Sequence, residues 1–207
     1  MSETMTDRQS HWENVYTAKA DDSVSWFEET PSVSVRLIER ATDARGSVID
    51  IGGGASRLPD ALLDLGFTDV AILDLSAQSL RIARARLASR GDKIRWIAMD
   101  ITRWTPDRLY DVWHDRVAFH FLTDADDQAR YVDALRNALA PRGIAIIGTF
   151  APDGPERCSG LPVVRHDSES LVALLGSDFS LLSEERHEHR TPAGVIQQFQ
   201  FSVFRKN

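Results

Sequence analysis

Nothing in this chain constrains its fold as tightly as Val48-Ile49-Asp50-Ile51-Gly52-Gly53-Gly54-Ala55-Ser56, an apolar run that ends in an acid and breaks into a glycine turn. About twenty residues on, Ile72-Leu73-Asp74 closes a second apolar run on another acid, the spacing of the first two strands of a nucleotide-binding α/β unit. The glycines let the backbone turn sharply and approach a ligand. A carboxylate at the tip of the second strand can accept hydrogen bonds from both ribose hydroxyls, so an adenosine-type cofactor is the first expectation.

The loop decides which cofactor. A dinucleotide fingerprint needs G-x-G-x-x-G opening a helix, and here Arg57 stands where the third glycine belongs. The stretch resembles the D-x-G-x-G-x-S/G loop of class I S-adenosylmethionine-dependent methyltransferases, with Asp50, Gly52, Gly54 and Ser56 on the pattern positions and Gly53 between them. The resemblance implies that the glycines pass close to the methionine part of the cofactor and that Asp50 helps to hold its amino end through backbone groups or water. It further implies that Asp74, with Leu75 beside it, binds the ribose, that Asp100 accepts from the adenine amino group, and that Ile101 lies near the adenine ring. By motif it covers residues 46–150. From the residues alone, Asp74 and Asp100 could equally cap the helices that follow their strands.

Along the chain, a polar tail over residues 1–8 precedes a helix expected to start at Ser10, with Glu13 at the capping-box spacing and Trp12 and Tyr16 on one face. Pro31 opens a second helix running to about Ala44. Strand and helix then alternate: 48–51, 58–65, 70–73, 77–89, 94–98, 111–119, 125–139 and 144–150. Such alternation predicts a parallel sheet with helices on both faces. After a helix at 168–175, the runs 179–185 and 197–204 follow one another and are expected to close the sheet as an antiparallel hairpin. The fold class expected is therefore α/β, a doubly wound Rossmann-like sheet, mostly parallel, with a C-terminal antiparallel hairpin; the resemblance implies seven strands. We expect a single domain over 1–207, with a helical cap segment at 1–45, a cofactor-binding core at 46–150, and a substrate loop and terminal hairpin at 151–207.

Composition removes several function classes. A net charge of −7 argues against general nucleic-acid binding, which needs a concentrated cationic excess. Arg81, Arg84, Arg86 and Arg90 recur at amphipathic-helix spacing and read as a solvated face. The lone Cys158 has no partner for an internal disulfide, no apolar run approaches a membrane span, and the N-terminus lacks a secretory core, so a cytoplasmic enzyme is expected. No metal site is expected: His187-x-His189 lacks a third ligand, and its charged neighbours make it a solvated edge. The chain also lacks a G-x-S-x-G elbow and a Walker lysine in its glycine loop.

Methyl transfer is an in-line displacement from a sulfonium, so the protein has to align an acceptor lone pair and remove any proton the acceptor carries. Ligands of open α/β sheets bind beyond the carboxyl ends of the strands. That places Asp115 and His120, on the segment after Tyr110-Asp111-Val112-Trp113, as candidate catalytic groups; a cap or ion pair for Asp115 and a satisfied core position for His120 are the alternatives. His11-Trp12-x-x-x-Tyr16 and Ser25-Trp26-Phe27 resemble the N-terminal segment of small class I enzymes, which implies that Trp12, Tyr16 and Trp26 fold over the cofactor cleft; packing of an apolar face on the sheet is the other reading. The long connection 151–166, with Arg157, Arg165, His166 and Cys158, is a candidate substrate element. The function expected is transfer of the S-adenosylmethionine methyl group to a small-molecule acceptor. A protein-lysine acceptor, an NAD-dependent oxidoreductase and a non-catalytic interaction module remain open.

Overall fold

A computed structural model describes residues 7–207. Its first helix, α1 (Asp7–Ala18), is followed by α2 (Ser32–Ala41), β1 (Val48–Ile51), α3 (Leu58–Asp64), β2 (Val70–Asp74), α4 (Ala77–Leu87), β3 (Ile94–Ala98) and β4 (Tyr110–Arg116). Then come α5 (Ala125–Ala138), β5 (Leu139–Phe150), a minimal hairpin of β6 (Arg157–Cys158) and β7 (Leu161–Pro162), α6 (Ser168–Leu175), β8 (Phe179–Arg190) and β9 (Ile196–Lys206). The main sheet has seven strands in the order β3-β2-β1-β4-β5-β9-β8. The first five are parallel, and β9 runs antiparallel between β5 and β8.

The alternation of side chains sorts the sheet into two apolar faces. Ile49, Ile51, Leu73, Trp113, Ala145 and Ile147 pack with Tyr131 and Leu135 of α5 and Leu171 and Leu175 of α6. Val48, Ile72, Val112 and Ile146 pack with Leu37 and Ile38 of α2, Leu58 and Leu62 of α3 and Leu80 and Leu87 of α4. Burial on both faces explains why the central strands read as continuous apolar runs.

Several expectations are corrected. The polar tail falls mostly on residues 1–6, outside the described residues. Ser10 lies inside α1, which runs from Asp7, so it caps nothing there. Strand β4 stops at Arg116, three residues before the expected limit, because Val117 takes a left-handed conformation (φ 61°) and Phe119–Phe121 form a 3-10 turn. A β-branched residue at positive φ is costly and marks a backbone held by its surroundings; here the Val117 amide donates to the Gly148 carbonyl at 2.7 Å. Strand β8 runs on to Arg190, since every residue from Ser183 finds a register partner on β9. The stretch at His187–His189 lies on the edge strand β8 with Glu188 exposed, as expected, but His189 departs from the solvated reading: it is buried and its Nε2 donates to the Ser25 carbonyl at 2.7 Å.

Candidate cofactor and active site

The carboxyl ends of β1, β2, β3 and β4 open into one cleft of about 720 Å³, and α1 lies across it. Gly52 (φ 66°) and Gly54 (φ 51°) turn the chain out of β1 in a conformation that other residues resist. A Cβ on Gly52 would fall 2.4 Å from the Ala118 methyl, and one on Gly54 would fall 2.7 Å from the Tyr16 hydroxyl. Beneath the turn, Asp50 Oδ1 and His114 Nδ1 lie 2.6 Å apart. Arg86 holds the turn from outside, donating to the Ala55 carbonyl at 3.0 Å, the Ser56 carbonyl at 2.6 Å and Asp60 at 2.7 Å. This overturns the solvated reading for Arg86 within its helix face.

Asp74 lines the cleft at the tip of β2. Burial pushes its carboxyl up to about 6, and the hydrogen bond that its Oδ1 accepts from the Ser76 amide at 2.7 Å opposes that shift. The cap of α4 is Ser76, not Asp74. Asp100 combines both roles considered for it. Its Oδ1 caps the following turn through the amide and hydroxyl of Thr102, while its Oδ2 accepts from Arg8 at 3.1 Å beside Met99 and Ile101 in the cleft.

The N-terminal segment walls the cleft. Trp12 meets Trp26 edge-on at 5.6 Å and Phe121 at 4.9 Å, and Tyr16 sits 6.3 Å from Trp26. Two anchors hold α1 in place. Arg8 bridges Asp100 and Asp127, and Glu13 accepts from the Ala77 and Gln78 amides at 2.7 and 3.2 Å, capping α4 from another helix. Arg8 was not singled out from sequence, and Glu13 was read only as a capping-box partner within its own helix; a helix N-terminus next to the ribose acid was the available signal, but its partner is remote in the chain.

Behind Tyr16 and Trp26 lies a recess of about 320 Å³ lined by Arg57, Arg116, Asp21, Glu28 and Ser56. Arg116 donates to the Trp26 carbonyl at 2.9 Å, and burial lowers its pKa. Arg57 Nη1 and Arg116 Nη2 are buried without a hydrogen bond; Asp21 and Glu28 approach them at 3.2 and 3.3 Å out of hydrogen-bonding line. The recess therefore holds two guanidinium groups, each already within ion-pair distance of a carboxylate. Sequence reading treated Arg57 only as a departure from a glycine pattern.

Among the expected cofactor residues, Trp12, Tyr16, Trp26, Gly52, Asp74, Leu75, Asp100 and Ile101 line the cleft and Ser56 lines the recess, whereas Asp50, Gly53 and Gly54 form the turn and its underside. The expected catalytic pair is not brought to the cleft wall. Asp115 is fully buried, with Oδ1 accepting from the Ala118 and Phe119 amides and Oδ2 from Tyr131, whose hydroxyl accepts from Trp113 in turn. Its geometry is that of a loop-holding cap, and burial raises it to about 6. His120 is also fully buried, behind Phe121 with ring centroids 4.4 Å apart; neither ring nitrogen has a hydrogen-bond partner, and burial drives its pKa to about 3. In the 151–166 connection, burial raises the Cys158 thiol to about 11, which leaves it unreactive at neutral pH. Arg157 and Arg165 are exposed there, and His166 packs on Phe119.

Comparison with known proteins agrees with this geometry. The profile of a family described as Methyltransferase domain matches residues 48–143. The chain is 28% identical over 166 residues to the N-terminal Xaa-Pro-Lys N-methyltransferase 1 of Homo sapiens, covering 75% of this chain and 70% of that protein. It is 25% identical over 120 residues to the eEF1A lysine and N-terminal methyltransferase of Bos taurus, covering 57% of this chain but 17% of that much longer protein. Among solved structures, the N-methyltransferase NodS of Bradyrhizobium japonicum in complex with S-adenosyl-L-homocysteine superposes with a TM-score of 0.73 at 17% identity, over 97% of this chain and 99% of that one. The 1,6-didemethyltoxoflavin-N1-methyltransferase of Burkholderia thailandensis does so with a TM-score of 0.73 at 19% identity, over 100% and 92%.

Proposed function

We propose that this chain, whose residues 48–143 match the methyltransferase-domain family and whose fold is that of S-adenosylmethionine-dependent enzymes, is a class I methyltransferase that transfers the methyl group to a small-molecule acceptor enclosed between the N-terminal aromatic wall and the loop after β4. The single observation that carries this reading is the edge-to-face packing of Trp12 on Trp26 and Phe121, which walls the cleft beside Gly52 and Val117. The cofactor, when bound, supplies a methyl group already activated as a sulfonium.

The residues fit such a group along its whole length. Asp74 offers Oδ2 to the ribose, its Oδ1 being held by the Ser76 amide, and Asp100, whose Oδ2 already accepts from Arg8, offers that oxygen's remaining lone pair at the adenine end. Arg116, which lines the cleft, is the cation that would meet the cofactor's carboxylate, and the glycine turn leaves the room that a side chain would fill. The aromatic faces exclude water and favour a cationic sulfonium by their quadrupoles. His120, buried behind Phe121 with a pKa near 3, is too weak a base to take an acceptor proton and is proposed to shape the wall behind that ring. Asp115 then acts through the backbone it positions. A protein amino group is the second reading, supported by what the two curated relatives are named for. Among the described residues no helix is long and apolar enough to cross a membrane, and a cytoplasmic location is part of the proposal.

Calorimetric titration with S-adenosylmethionine, S-adenosylhomocysteine and NAD in parallel tests the cofactor assignment. Saturable binding of the two adenosyl compounds without NAD is the expected result, and NAD binding alone would overturn it. Transfer of labelled methyl groups to a small-molecule set against folded protein fractions then separates the two acceptor classes.

A further inference from the structure

The stretch that carries Trp26 is held by a residue of the terminal hairpin. His189, on the edge strand β8, is 3% exposed, and its ring packs edge-on against Phe199 of β9. Its Nε2 lies 2.7 Å from the Ser25 carbonyl and its Nδ1 3.4 Å from Glu28 Oε1. Arg116 of β4 grips the same stretch, donating to the Trp26 carbonyl at 2.9 Å and standing 3.3 Å from Glu28 Oε1. The Ser25 and Trp26 carbonyls flank the Trp26 Cα, so side chains from two strands fix the backbone on either side of that ring. The ring itself lines the cleft and meets Trp12.

Both ring nitrogens of His189 face groups that only accept. A carbonyl oxygen and an ionised carboxylate each call for a donor, and only the doubly protonated ring offers two. Burial opposes the charge of Glu28, but His189, Arg116 and His187 hold its carboxyl below the usual range, so the ionised form is the one that faces the ring. A neutral ring that kept its bond to Ser25 would turn a lone pair toward that carboxylate with little water to intervene. The charged and titratable neighbours are Arg116, His187 with Nε2 3.8 Å from Glu28 Oε1, and Arg57 and Asp21 across the recess, while Cys158 of β6 faces Ser25 as a neutral thiol. Among these side-chain types only imidazole ordinarily changes charge near neutrality. We infer that His189 is a positioning residue which, as the imidazolium, clamps Ser25 and Glu28 and so holds the Trp26 wall against the cleft, and which releases that wall when the ring loses its proton. Acid therefore closes the clamp and alkali loosens it. What the wall encloses rests on the cofactor reading above; the clamp itself does not.

Heteronuclear NMR of the full chain, labelled in histidine and tryptophan and titrated from about pH 5 to about pH 8, reads the clamp without any ligand. At the acid end both His189 nitrogens are expected to carry protons; one is lost as pH rises, and the Trp26 indole signal moves with the same midpoint. His189→Gln keeps an amide that can donate to Ser25 but carries no charge, and its Trp26 signal is expected to stay fixed over the interval. His187→Gln is expected to keep the wild-type response. In stopped flow, release of S-adenosylhomocysteine from the wild type is expected to speed severalfold across the interval relative to His189→Gln, a ratio in which the titration of Asp74, common to both proteins, cancels. A His189 ring whose charge does not change, or a Trp26 signal or release ratio that ignores the change, overturns the inference. Should His189→Gln fail to fold, the wild-type titration decides alone. Protein that binds no S-adenosylhomocysteine overturns the cofactor reading, and the NMR titration still judges the clamp.

Discussion

Asp115 shows how one residue can be legible in its chemistry and illegible in its role. An acid at the carboxyl end of the fourth strand belongs to the active region of such a fold, and the sequence places it there. Its oxygens are nevertheless occupied by Ala118, Phe119 and Tyr131, and Tyr131 comes from the next helix, a partner that no local spacing announces. Because burial raises its pKa from 3.8 to about 6, the folded state keeps a proton that the unfolded chain has already released over that interval. The sign is fixed: stability falls as pH rises from about 4 to about 6, by on the order of 2 to 3 kcal/mol from this group, and levels off above. Urea unfolding at stepped pH should show a shallower fall for Asp115→Asn, and an identical slope in both proteins would remove the shift. Arg57 is the converse case. It stood in the sequence as a missing glycine, and only the fold places it in the recess beside Arg116, paired with Asp21.

At the scale of elements, α1 is the least predictable helix and the one that does most for the site. It is polar, Tyr16 is its sole residue counted as buried, and it carries no strong apolar stripe to dock it on the sheet. Docking rests on the ring contacts of Trp12 and Tyr16 with Trp26 and Phe121 together with polar links, Arg8 to Asp100 and Asp127 and Glu13 to the first amides of α4. Glu13 satisfies two amides that a helix N-terminus otherwise leaves unbonded, a contribution of about 1 kcal/mol. Glu13→Ala is expected to lower the melting temperature by a few degrees at most. It should also speed release of S-adenosylhomocysteine severalfold, as followed by the fluorescence of Trp12 and Trp26 in stopped flow. Unchanged release would mean that α1 stays closed without this anchor. The sequence located α1 from its aromatics, but missed its true start and read Glu13 as a local cap, because capping spacing within a helix looks the same whether the acceptor serves its own helix or a neighbour.

On the scale of the whole molecule, the seven strands depend on a connection that sequence order hides. Strand β9, near the end of the chain, inserts between β5 and β8, so the sheet is complete only when the last residues arrive. Gly148 on β5 makes room for the Phe201 ring, whose Cε1 lies 2.7 Å from where a Cβ would stand. Phe201→Ala would open a cavity at this junction and cost about 3 to 5 kcal/mol, which in a chain of 207 residues lowers the melting temperature by roughly 8 to 15 °C. A calorimetric melt with a drop of a degree or two would show that the terminal hairpin is loosely coupled to the parallel core.

The sequence by itself determined the alternation of strands and helices, the glycine turn, the acids that end the second and third strands and the reversed hairpin. Each of these is written in local periodicity, backbone permission or a short motif, and needs no distant partner to be recognised. Only the tertiary structure decided that Asp115 holds a loop, that Arg86 and Glu13 brace the site, that Arg57 and Arg116 face one recess, and that Asp50 is paired with His114. These roles depend on which side chains meet across strands and helices far apart in the chain, and on how much water the meeting place retains.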